Sequence, residues 1–155
     1  MAAVTSGTIE TSYYNNEGDK GRYILDWKIK STSGLVRTIS YSVKVEYTGN
    51  RLRPYSCFLD LEGYNDGTVS PDSITILKKG SYSGGWETYP ESGDVIATGT
   101  FKVTHKSSNA KGGFEATLHG GMYSWSSNAV TGTASFDLGT LYTNCSAPTR
   151  VWVDN

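Results

Sequence analysis

The feature that most constrains this chain is an alternation of apolar and polar residues at every second position, clearest between Val95 and Leu141. Ala97, Gly99, Phe101 and Val103 alternate with Thr98, Thr100, Lys102 and Thr104. Phe114, Ala116 and Leu118 alternate with Glu115, Thr117 and His119, and Ala134, Phe136 and Leu138 with Thr133, Ser135 and Asp137. Successive side chains of an extended strand point to opposite faces, so each run predicts a strand with one buried and one wet face. The Ser107–Gly113 segment between the first two runs carries turn chemistry. Asn109 tolerates positive φ, and Gly112 and Gly113 adopt it freely, which predicts a hairpin connection.

The same period recurs upstream. Tyr23, Leu25, Trp27 and Ile29 form one apolar face, and Ile39, Tyr41, Val43, Val45 and Tyr47 form another within a longer run from Leu35. Cys57, Leu59 and Leu61 share a face of a Tyr55–Glu62 strand. Short strands are predicted over Val4–Ile9 and Ile74–Leu77, with a brief pairing at Trp86–Tyr89. Asn15–Gly21 reads as a loop dense in Asn, Asp and Gly, and Pro71 bars a central strand where it stands. No helical period occurs. One-sided strands must bury their apolar faces against one another, so two antiparallel sheets packed as a β-sandwich follow; a closed barrel would use the same pattern. Trp27, Phe101, Phe114 and Phe136 are assigned to the core, as is the small hydrophobe Cys57.

At 155 residues the chain is long enough for one domain with a sizeable core. The sandwich is expected over 1–142, with 143–155 as a linker or the start of a following module. Abundant glycine (18) and tyrosine (11) with few prolines (4) suit an antiparallel β protein with many turns. A net charge of −1 leaves no basic footprint for nucleic acid. No apolar run approaches a membrane span, and the N-terminus lacks the basic-then-apolar pattern of a secretory signal.

Candidate chemistry is sparse. His105 and His119, the only two histidines, fall near strand ends in neighbouring predicted strands and could approach one another. No ligand spacing ties them to Asp137 or Glu115. Both are expected as wet-face or strand-end residues. The acidic segment Asp60–Gly67 lacks the alternate oxygen spacing of a Ca²⁺ loop and reads as a solvated turn. Asp60 and Glu62 share a strand face roughly 7 Å apart, without the raised pKa or cleft that an acid–base pair needs. No metal, cofactor or catalytic set is expected, and the chain does not read as an enzyme.

The surplus lies in the aromatics. Tyr13, Tyr14, Tyr64, Tyr82, Trp86, Tyr89, Tyr123 and Trp125 are expected in or beside loops. Such rings cap sandwich ends, anchor protein interfaces or stack on sugars, because Tyr and Trp bury much area with few rotors. Tyr82, Trp86, Tyr89, Tyr123 and Trp125 are the candidate binding residues.

The opening Ser6-Gly7-Thr8-Ile9, the Trp-centred strand Leu25-Asp26-Trp27-Lys28-Ile29, the strand Gly99–His105 ending in His, its polar tip and Gly-Gly-Phe, and the closing strand Gly132–Thr140 together resemble a known module. It is the immunoglobulin-like N-terminal module of minor structural tail proteins from phages of Gram-positive bacteria. The resemblance spans most of the chain as a pattern. Lys106–Gly113 replaces the family's shorter Asn-Ala-Asp-Gly tip, and Leu138-Gly139-Thr140-Leu141 lacks the family's Pro. Asn144–Val153 resembles a linker and first strand of a further immunoglobulin or fibronectin type III-like module. The expected fold is an all-β, two-sheet antiparallel sandwich, immunoglobulin-like or jelly-roll-like, with about eight or nine strands. The resemblance implies a structural or adhesive part of a phage tail, baseplate or fibre. Its implied partners are other tail proteins, further copies of itself in a homo-oligomer and possible cell-surface polysaccharide, and its implied place is the virion tail, assembled in the host cytoplasm without a signal peptide. A carbohydrate-binding module is the alternative.

Overall fold

The structure is a computed structural model and describes residues 2–49, 52–78, 90–124 and 126–141. Among these residues it is all-β, with strands β1 (Ser6–Glu10), β2 (Tyr14–Asn16), β3 (Asp19–Ser33), β4 (Val36–Tyr47), β5 (Arg53–Asn65), β6 (Gly67–Ser70), β7 (Ser73–Leu77), β8 (Val95–His105), β9 (Lys111–Ser124) and β10 (Ser126–Thr140). Two antiparallel sheets face one another. The six-stranded sheet runs β1-β3-β4-β8-β6, with β2 also on β3, and the four-stranded sheet runs β10-β9-β5-β7. The sandwich expectation therefore holds, with ten strands rather than eight or nine. The strands that sequence missed are short. β6 has four residues, and β2 has three, of which Asn15 and Asn16 fall within the expected Asn15–Gly21 loop. That loop is a tight hairpin: Asn16 pairs with Asp19 across Glu17 and Gly18, both at positive φ (52° and 94°). Two such central residues match the right-handed twist of the flanking strands.

Alternation places the core. Tyr23, Leu25 and Trp27 on β3, Ile39, Tyr41, Val43 and Val45 on β4, and Phe101 and Val103 on β8 turn inward from one sheet. Cys57, Leu59 and Leu61 on β5 and Phe114, Ala116 and Leu118 on β9 meet them from the other. Trp27 sits at the centre of an aromatic cluster. Its ring stands edge-on to Phe114 (centroids 5.0 Å) and Phe136 (4.8 Å), and Phe101 stands edge-on to Phe114 at 5.0 Å. Edge-to-face packing sets the positive rim of one ring against the negative face of the next. Burial pushes the Cys57 thiol well above its ordinary range, as befits a core hydrophobe.

The predicted hairpin over Ser107–Gly113 is corrected. β8 pairs with β4 and β6, whereas β9 pairs with β5 and β10, so the connection is an arch from one sheet to the other. Ala110 N donates to Ser107 O at 3.2 Å, so the tip does turn. The two strands then meet face to face through their buried sides rather than edge to edge. Neither Asn109, Gly112 nor Gly113 has positive φ. The glycines serve close approach instead: a Cβ on Gly112 would stand 2.6 Å from the His105 ring. The neighbouring β5–β6 corner, with Asn65 at φ 58°, locks onto this arch. Asp66 N donates to Lys111 O, and Lys106 N to Asp66 O, each at 3.1 Å.

Candidate functional site

The two histidines do not form one site. His105 is the last residue of β8, in keeping with the strand-end expectation, but it points inward at the arch and is 1% exposed, so it does not lie on a wet face. The period of two carries the Phe101–Val103 face on to residue 105, and Gly112 leaves room for the ring. His105 Nδ1 lies 3.2 Å from Ala110 O, which makes Nδ1 the protonated nitrogen of the neutral ring. Burial lowers its pKa; the Ala110 carbonyl opposes this and Arg37 adds to it. His105 Nε2 and Arg37 Nε are buried without a hydrogen-bond partner in the structure.

His119 lies on the outer face of the four-stranded sheet, where the register assembles an ordered stripe. Arg53 stands opposite Tyr123, Phe58 opposite His119, Asp60 opposite Thr117, and Glu62 opposite Glu115. Phe58 is 40% exposed and lies flat on His119, with centroids 4.4 Å apart and planes 7° from parallel. His119 Nε2 lies 3.1 Å from Asp60 Oδ2, which fixes the imidazole under the phenyl ring. At one end Tyr55 and Tyr123 stack at 5.5 Å, and the Arg53 guanidinium lies 6.0 Å from the Tyr123 centroid. At the other end the Glu115 hydrogen bond and charge hold the Glu62 carboxyl above its usual range. Ser135 Oγ donates to Glu115 Oε2 at 3.1 Å. Like charges directly opposite across strands are unfavourable, and Glu62 and Glu115 stand so at this end of the sheet.

Two depressions border the stripe. One of about 360 Å³ lies between β5 and β7, lined by Ser56, Phe58, Ser73, Thr75 and Lys78 among others. A smaller one of about 190 Å³ is lined by Asp60, Glu62, Glu115 and Thr117. The expectation that Asp60 and Glu62 lack both a cleft and a raised pKa is therefore corrected, although the depression is shallow and the shift in Glu62 comes from Glu115. A third depression, about 400 Å³, lies on the outer face of the six-stranded sheet among Ser6, Thr8, Asp26, Lys28, Ser40 and Ser42. Among the described residues no three His, Cys, Asp or Glu side chains are grouped to hold a metal ion, and no helix is long and apolar enough to cross a membrane.

Of the candidate binding residues, Tyr123 is described, and it belongs to β9 rather than a loop. Tyr82, Trp86, Tyr89 and Trp125 lie outside the described residues, as do the Trp86–Tyr89 pairing and the 143–155 linker. Tyr14 packs against the core. Tyr13 donates to Glu46 at 2.9 Å, with Lys20 and Arg22 each 4.5 Å from its ring centroid. Sequence reading passed over Phe58, Tyr55 and Arg53. The signal for Phe58 was present: it falls out of phase with Cys57, Leu59 and Leu61, so it had to face outward.

No protein-family model, curated protein or solved structure matches this chain.

Proposed function

We propose that this domain is a non-enzymatic structural or adhesion module of a phage tail or tail-like particle, acting through protein–protein contacts. The tail assignment rests on the sequence resemblance. The contact role rests on one observation: a sheet face that presents aromatic rings outward in fixed orientation, Phe58 on His119 and Tyr55 on Tyr123. Rings already locked by stacking lose little rotamer freedom on binding, which is what an interface anchor requires. A second reading, a carbohydrate-binding module, is favoured by the hydroxyl-lined depression beside Phe58, since a ring flanked by Ser and Thr hydroxyls suits a sugar face.

The test sets a pull-down with tail and baseplate proteins beside calorimetric titration with cell-wall polysaccharide, on wild type and Phe58→Ala. A protein partner lost or weakened in Phe58→Ala supports the contact reading. Saccharide binding that disappears in Phe58→Ala, with no protein partner recovered, replaces it with the carbohydrate reading.

A further inference from the structure

We propose that the outer face of the four-stranded sheet is a self-complementary surface that takes a second copy of this chain, packed face to face through Phe58 and His119. The inference rests on the protein-contact reading of that face and names its partner.

The argument starts from the order of side chains along β5 and β9. Arg53, with Tyr55 and Tyr123, occupies one end of the stripe; Phe58 and His119 lie in the middle; Glu62 and Glu115 occupy the other end. Charge is thus separated along the strand direction, with the apolar ring between. A two-fold axis lying in the interface, across the strands at the level of Phe58, reverses strand direction while keeping β5 over β5. It sets Phe58 against Phe58 of the second copy. It also brings Arg53 of each copy over the Glu62–Glu115 pair of the other. The carboxylates that oppose one another within one chain thereby gain a guanidinium from outside it. Arg suits this role because its planar fork bonds a carboxylate while its stem and face remain on an aromatic ring. The contact is isologous, so it closes as a dimer and does not propagate.

Size fixes the strength. At about 3.4 Å per residue the Arg53–Glu62 stripe is roughly 30 Å long, and β7, β5 and β9 at about 4.8 Å spacing make it roughly 15 Å wide. Two such faces bury about 900 Å² in total, which belongs with transient rather than permanent interfaces. The dimer is therefore expected to be weak alone and strengthened where copies are held close together.

The experiment is sedimentation velocity of the 155-residue chain over roughly two decades of concentration at low and high salt, together with cysteine cross-linking. Wild type should shift from monomer to dimer with concentration, and salt should weaken the dimer, since its charge pairs are largely exposed. Phe58→Glu should raise the dissociation constant by about tenfold or more, with an unchanged denaturant midpoint because the ring lies outside the core. Arg53→Glu should dissociate the dimer, and Arg53→Glu combined with Glu62→Arg should restore it, which a merely structural role for either residue does not produce. On a Cys145→Ser background, Phe58→Cys should form an intermolecular disulfide and Thr100→Cys, on the outer face of the other sheet, should not. A chain that stays monomeric throughout, or a dimer indifferent to the charge exchange, overturns the second copy as occupant. If tail-protein capture still depends on Phe58 in that case, the contact reading of the face stands without this inference; if saccharide binding depends on it instead, both fail.

Discussion

Trp27 carries the densest set of consequences at the scale of a residue. It is 3% exposed and touches Phe114 and Phe136 edge-on. Trp27→Ala removes that area and leaves a cavity that the surrounding rings fill only in part, so it should cost about 3–5 kcal/mol. Denaturant melts check this, and a loss below about 1 kcal/mol would mean that the ring does little of the packing assigned to it. His105 makes a second prediction, with a sign. Burial holds its folded pKa below the ordinary value, so the unfolded chain binds the proton more readily. The contribution of the neutral ring is complete above the unfolded value of about 6.5 and is lost as pH falls through the folded one. Urea midpoints followed from about pH 8 down to about pH 5 should decline in wild type, and His105→Gln should remove that part of the decline. Equal slopes in both proteins would assign the acid sensitivity elsewhere.

Between elements, the β8–β9 arch is where local chemistry and tertiary structure part company. Glycines in a polar tip read as a hairpin, because a turn is the commonest reason for glycine in such a place. Here Gly112 is required because two strands from opposite sheets converge on the His105 ring. Gly112→Ala would press a methyl into that ring at 2.6 Å. Overpacking of this kind should cost about 1–3 kcal/mol. Gly18→Ala in the β2–β3 turn is the instructive contrast: its positive φ resists a side chain although nothing crowds it. Replacing His105 by Ala alongside Gly112→Ala should recover part of the arch penalty. A double variant with no recovery would show that the two residues do not share the space.

Across the whole molecule, stability should come from the two facing sheets and their aromatic centre without a bound ion. Thermal melts with and without a chelator should therefore coincide; a fall of more than a few degrees on chelation would reveal an ion bound to the folded state. The connectivity bears on how that stability is distributed. From β5 to β9 each strand lies in the sheet opposite the one before it, and β9 and β10 then pair as neighbours. Most of these strands find partners distant in sequence, so the sheets close cooperatively rather than hairpin by hairpin.

The sequence by itself determined which apolar faces of the long strands turn inward. Period-two alternation is a local property of extended backbone, so the inward faces of β3, β4, β5, β8 and β9 were legible one strand at a time, Trp27 and Cys57 included. The outward phase of Phe58 was equally legible, because a residue between Cys57 and Leu59 has no other face to take. Which strands share a sheet was decided by the tertiary structure. Alternation is identical whether a strand meets its neighbour edge to edge or face to face, and that ambiguity hid the arch at Ser107–Gly113; the burial of His105 lay in the phase of β8 and was missed because its ring is polar. The stripe from Arg53 through Phe58 and His119 to Glu62 and Glu115 was hidden for the same reason. Its members come from β5 and β9, far apart in the chain, and only the register between those strands sets basic, aromatic and acidic groups in order along one face.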